Sequence, residues 1–229
     1  MTRLRIASTK LERLLLMVAL VSIGFWVGSA ADRWSFQLQG ARRLDAALDA
    51  AMSWVGSDPV AAATRAEVRK SGLIGRIEIP RLGIRAIVAE GVANRTLDRA
   101  VGHLPATALP GENGNVGLAG HRDTFFRKLS GVRAGDRIRM TTPDGVFRYR
   151  VESVRIVKPD RTDLLHADGA SRLTLVTCYP FRWLGSAPKR FVVTAKQVTW
   201  ADGAVDRISL TSSPGSASSP RGSRSRQTS

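Results

Sequence analysis

The chain changes texture four times. From Leu14 to Ala31 there is no charged residue, and the run LLLMVALVSIGFWVGSAA is apolar on every helical face. As a helix it spans about 27 Å, the thickness of a bilayer's hydrocarbon core. Next, Leu44, Leu48, Met52 and Val55 recur at i, i+4, i+8 and i+11, a helical stripe with Arg42, Arg43, Asp45 and Asp49 facing water. Ser57-Asp58-Pro59 ends the stripe, and an Ala-rich second helical piece runs to about Lys70. From Gly72 the period falls to two. Strands are predicted over 74–79, 84–88, 116–120, 137–141, 146–157, 172–177 and 190–198, with a helical turn over 97–101. Pro143-Asp144-Gly145 between two strands is a hairpin signal. About eight short strands with only brief helices predict an all-β fold, a closed or nearly closed barrel. From Ser212 the chain is Ser, Pro and Gly with scattered Arg, and it has nothing to bury.

This patterning divides the chain into a basic N-terminus (1–13), a transmembrane anchor (14–31), a helical connector (32–71), a β domain (72–199) and a disordered tail (200–229). Arg3, Arg5, Lys10 and Arg13 precede the apolar run. The positive-inside rule then leaves the N-terminus in the cytoplasm and everything after Ala31 outside. Trp26 and Trp34 suit the outer interface. Ser29-Ala30-Ala31 resembles a signal-peptidase site, but the run exceeds the usual h-region length, which favours an uncleaved anchor. The connector serves either as a spacer or as a helix packed on the side of the β domain; the stripe fits both.

Charge changes the picture little. The formal net charge is +16, from 35 basic and 19 acidic residues, but the surplus is spread over nearly every strand. No zinc-finger spacing and no aromatic-studded RNA-binding stretch is present, so nucleic acid is not an expected partner. The three histidines, His103, His121 and His166, are scattered, so no metal site is expected. A single cysteine, Cys178, excludes an intramolecular disulfide.

Cys178 ends the β-forming run LTLVTC and precedes Tyr179-Pro180, where a ladder must stop. A lone Cys is commonly a small buried hydrophobe. Here it lies where a strand hands over to a loop, and two other residues give it a chemical context. His121 closes NVGLAGH, and Arg190 opens the strand after Cys178. A thiolate is the competent nucleophile, and a nearby cation favours it over the thiol, whose unperturbed pKa is near 8.5. Imidazole can protonate a leaving amine. A guanidinium cannot act as a base but can stabilise an oxyanion.

PGENGNVGLAGHR ending around His121, TLVTC ending in Cys178, and Arg190 opening the next strand resemble, in order and spacing, a sortase, a cysteine transpeptidase of bacterial cell surfaces. The likeness covers about Gly72 to Thr199, and the Cys-Tyr-Pro-Phe tail is most similar to the class D branch. The resemblance implies an eight-stranded sortase-like β-barrel. It implies that Cys178 attacks the amide of a C-terminal sorting motif such as Leu-Pro-x-Thr-Gly on an exported protein. His121 would protonate the leaving amine and Arg190 steady the oxyanion. An amine on the cell wall or on another protein, or water, would resolve the acyl-enzyme. It implies Thr177 at the scissile amide, and no cofactor; Tyr179 flanks the thiol closely enough to be a second substrate-side candidate, with packing as its other reading. Asp123 is left out because the family does not depend on a third member; His103 is read as structural and His166 as solvated. Asp58-Pro59 is followed by Val60, so no aromatic lid is assigned. Two rivals remain. One is another envelope thiol enzyme such as an L,D-transpeptidase, whose Ser-His-Gly-Cys signature is absent around Cys178. The other is a non-catalytic barrel that binds wall polymer.

Overall fold

The computed structural model describes residues 2–52, 70–161, 163–165, 169–183 and 185–199. The chain begins with one uninterrupted helix, α1 (Thr2–Met52). Eight strands follow: β1 (Leu73–Ile79), β2 (Ile84–Glu90), β3 (Val101–His103), β4 (Asn115–Ala119), β5 (Arg137–Thr142), β6 (Gly145–Val157), β7 (Arg172–Tyr179) and β8 (Lys189–Gln197). A one-turn helix, α2 (Asn94–Leu97), lies in the β2–β3 crossover. The strands close into a barrel in the order β1-β2-β3-β4-β7-β8-β6-β5. The β-barrel expected from the sequence is therefore the fold observed.

Period-two patterning drives closure. β1 alternates buried and half-buried residues along its length. Ile77, Ile79, Val88, Val116, Leu118, Ile138, Met140, Leu173, Leu175 and Val193 fill the interior. Tyr149 is fully buried among them, and its phenol oxygen has no hydrogen-bond partner among the described residues. Burial pushes that phenol's pKa up. Pro143-Asp144 forms the two-residue turn between β5 and β6, with Thr142 paired to Gly145.

Two differences from expectation concern the β2–β4 region. The helical turn lies at Asn94–Leu97, and Val101 begins a strand instead of ending a helix. That strand, β3, has three residues, too few to show any period. The Ala-rich piece before Lys70, Met52's side chain, Val55, His166 and the tail fall outside what the structure describes.

The connector half of α1 packs along the barrel. Leu44 and Ala47 are buried against Leu73 and Ile87, with Phe36, Ala41 and Leu48 around them. Gly40 sits against Ile87, where an added Cβ would meet its side chain at 3.0 Å. Arg76 Nη1 donates to Asp45 Oδ1 at 3.0 Å. By contrast, the large apolar side chains from Leu14 to Val27 are each more than half exposed, and no described residue covers them. Among the described residues, one helix is long and apolar enough to cross a membrane.

Candidate active site

Three neighbouring strands build the site. β7 lies between β4 and β8 in the barrel order. β4 and β7 run parallel, with Ala119 level with Val176. β7 and β8 run antiparallel, with Cys178 directly opposite Arg190. Cross-strand partners share a face of the sheet and hold their Cβ atoms about 5 Å apart. On β7, Leu173, Leu175 and Thr177 are buried, so Cys178 belongs to the outward set; on β8, Phe191, Val193 and Ala195 are buried, so Arg190 does too.

His121 reaches the thiol through the parallel register. The ladder continues past β4, with Gly120 N donating to Val176 O at 3.2 Å. The offset between paired residues is the sequence distance from His121 to Cys178, so His121 leaves the barrel level with the thiol. Where the ladder runs out, a side chain takes over: Thr177 Oγ1 donates to Gly120 O at 2.7 Å. Thr177 is only 3% exposed, so this bond is shut away from water. Gly120 is also pressed against Phe126, whose ring an added Cβ would meet at 2.8 Å. Phe126 N in turn donates to His121 O at 3.2 Å, closing the turn after the histidine.

His121, Cys178 and Arg190 line one open cavity of about 340 Å³, with Arg122, Asp123 and Gly185, Ser186 and Ala187 of the β7–β8 loop. The thiol is half-buried and free. It is thus neither enclosed by the core nor loose on the surface. Arg190 Nη1 donates to Ala187 O at 3.2 Å and to Lys189 O at 3.1 Å. Its Nη2 and Nε make no hydrogen bond among the described residues and are available to an oxyanion. Together these groups set a thiol, an imidazole and a guanidinium around one open cavity.

The two residues expected on the substrate side both make contacts within the barrel. Thr177 faces inward and is occupied with Gly120. Tyr179 is half-buried in a ring cluster, stacked on Phe191 (centroids 6.3 Å apart) and edge-on to Phe181 (6.1 Å). Both support the wall beneath the thiol. His103 lies 2% exposed toward the opposite rim, with Nδ1 2.9 Å from Glu90 Oε2 and Nε2 3.0 Å from Ala108 O. No group of three or more His, Cys, Asp or Glu side chains that could hold a metal occurs among the described residues.

Two residues escaped the sequence reading. Asp98, just after α2, places Oδ1 3.5 Å from His121 Nε2, so the carboxylate nearest the imidazole is not Asp123. Arg122 straps the β7–β8 loop: its guanidinium donates to the carbonyls of Pro180 (3.2 Å), Trp183 (2.9 Å) and Gly185 (3.0 Å). Adjacency to His121 was the available signal for Arg122. Nothing in the sequence marks Asp98, because its approach depends on the β2–β3 crossover.

Comparison with known proteins agrees with this architecture. The family model described as the Sortase domain matches residues 77–198. Sortase D of Bacillus subtilis (strain 168) is 37% identical over 126 residues, 55% of this chain and 64% of that protein. The chain thus spans just under two thirds of that relative's length. Among solved structures, a Clostridium perfringens Sortase D5 transpeptidase superposes with a TM-score of 0.59 at 25% identity, over 74% of this chain and 99% of the other. Sortase C1 from Streptococcus agalactiae gives 0.53 at 31% identity, over 58% and 70%.

Proposed function

The chain belongs to the sortase family, and from that premise we propose that it is a membrane-anchored cysteine transpeptidase acting on C-terminal sorting motifs of exported proteins. The observation that carries this reading is the placement of Cys178 between His121 and Arg190 on one outward face, at an open cavity. Residues 14–31 serve as the anchor, with the N-terminus in the cytoplasm and the barrel outside the membrane. The motif is of the Leu-Pro-x-Thr-Gly kind, and the acceptor is an amine on the cell wall or on another protein.

In the first half-reaction the Cys178 sulfur, as thiolate, attacks the scissile carbonyl carbon. The developing oxyanion meets the unengaged donors of Arg190. Collapse breaks the C–N bond, His121 gives its proton to the departing nitrogen, and a thioester remains on Cys178. In the second, an incoming amine loses a proton to His121 and attacks the thioester carbonyl, and the sulfur leaves as thiolate. With water in the amine's place the outcome is hydrolysis. Atoms and protons balance over the cycle, and no organic cofactor enters it. Thr177 acts by fixing the strand end that carries His121, and Tyr179 by bracing the wall beside the sulfur.

The test is mass spectrometry of the purified full chain with a library of sorting-motif peptides and a panel of amines. The expected products are a peptide thioester on Cys178 and its amine adducts. Cys178→Ala abolishes both, while His121→Ala and Arg190→Ala each lower kcat by about 10²-fold or more. Peptide cleavage that persists in Cys178→Ala would end the proposal.

A further inference from the structure

The contacts of α1 fix the direction of the barrel relative to the apolar run. Two rims can be distinguished. One carries His121, Cys178 and Arg190, together with the end of β6 at Val157, which pairs with Arg190. The other carries the start of β1 at Leu73, the end of β2 at Glu90 and the β5–β6 turn around Asp144.

The helix touches these rims in order. Asp32, the residue after the apolar run, accepts from Arg99 Nε at 2.6 Å. Arg33 Nε donates to Asp98 O at 3.0 Å. Gln37 bridges Arg99 O (2.7 Å) and Ile87 N (2.8 Å). Leu44 and Ala47 then bury against Leu73 and Ile87. Moving away from the apolar run, α1 passes from the active-site rim to the far rim. The segment it grips first, Asp98-Arg99, is the one whose carboxylate lies 3.5 Å from His121. At about 1.5 Å of rise per residue, Arg33 is only about 3 Å along the axis from Ala31.

We infer that the mouth holding Cys178 opens toward the bilayer, at the level of the lipid headgroups, and that the rim rests on that surface. The inference builds on the reading of residues 14–31 as an anchor. Two independent features fit an anionic headgroup surface as the occupant of this face. Trp34 on α1 and Trp183 on the β7–β8 loop are 68% and 50% exposed at this level, and indole rings favour the interface. Arg182, Lys158 and Lys189 are exposed on the loops and strand ends of the same rim, a cationic fringe suited to anionic lipid. A peptide bond that reaches the sulfur is then one already held close to the membrane.

The two ends of β6 provide the test. Val146, near its start, and Lys158, just past its end, are about 40 Å apart if the strand is extended. Each is replaced by Cys in a Cys178→Ala background of the full chain, labelled with a fluorophore and reconstituted into phosphatidylcholine–phosphatidylglycerol vesicles carrying a headgroup nitroxide. The label at Lys158→Cys is expected to be quenched at least threefold more than that at Val146→Cys. Labelled Cys178 in the otherwise unaltered chain gives a second near-rim reading and should match Lys158. Adding Asp32→Ala and Gln37→Ala should bring the two ends of β6 closer to equal quenching. Equal or reversed quenching in vesicle-bound protein that keeps Asp32 and Gln37 overturns the orientation and leaves the anchor standing. Protein that fails to float with the vesicles overturns both.

Discussion

The bond from Thr177 to Gly120 makes a demanding test, because two roles for Thr177 predict different kinetics. Thr177→Val keeps nearly the same shape and removes one donor. Gly120 O then loses its partner at 2.7 Å, in a place where Thr177 is 3% exposed and water cannot easily replace it. A typical net hydrogen bond contributes about 1 kcal/mol, and an orphaned buried acceptor raises the cost to about 1–3 kcal/mol. The melting temperature should therefore fall by about 2–12 °C in a domain of this size. The lost bond also frees the strand end that sets His121 beside the thiol. If 1–2 kcal/mol of that positioning is lost in the transition state, kcat falls by about 5–30-fold. KM should hardly change, because Thr177 faces away from the cavity. Steady-state kinetics on a cleavable sorting-motif peptide, beside thermal melts of the same samples, reads both quantities. Thr177→Ser, which restores a hydroxyl, should recover most of kcat. An unchanged kcat with a lowered melting temperature would show the bond to be structural only. A raised KM with unchanged kcat would instead restore Thr177 to the substrate side, as the family resemblance implied.

Arg122→Ala should loosen the β7–β8 loop by releasing three carbonyls at once. We expect lower kcat/KM, faster hydrogen exchange over residues 180–187 and an intact barrel, with partial recovery in Arg122→Lys; unchanged exchange in that loop would refute the strap. Tyr149→Phe removes a buried hydroxyl that has no partner among the described residues. It should leave the melting temperature unchanged or raise it by a few degrees, because an unpaired buried polar group costs about 1–3 kcal/mol; a large drop would mean that the phenol is bonded. Asp136 accepts from Arg81 Nη2 at 2.6 Å and from Arg133 N at 3.0 Å, and the Arg81 guanidinium chiefly holds its carboxyl below the usual range. A depressed folded pKa stabilises above the unfolded value near 3.9 and is lost as pH falls through the folded one. The stability gap between the unaltered chain and Arg81→Gln should thus be steady from pH 8 to 5 and begin to narrow as the pH falls below about 4; a gap that widens on acidification would contradict this.

Legibility in the sequence followed length and period. β1, β5, β6, β7 and β8 are long enough for alternation to declare them, and Pro143-Asp144 and Pro180 marked boundaries that the structure keeps. β3 was illegible because three residues carry no period, and its parallel pairing with β2 is non-local. The two readings of the connector could not be separated from its stripe. That required Leu73 and Ile87 as partners, and both lie beyond the helix. Cys178 and Arg190 could be placed as neighbours across one loop, whereas the level of His121 was hidden in a parallel register that no local motif encodes. The inward turn of Thr177 follows from strand parity counted from Leu175, but its bond to Gly120 needed both strands in place.

β8 is the last strand of the barrel and carries Arg190 between β7 and β6. A chain emerging N-terminus first exposes Cys178 before the segment that completes its surroundings exists. In the barrel order β7 has β8 as its neighbour on the side away from β4, so without β8 its Cys178 would have no Arg190 opposite it. On the proposed mechanism, competence therefore waits for β8. Under the proposed function, a molecule shortened before Lys189 lacks the strand that sets Arg190 opposite Cys178 and should form no thioester.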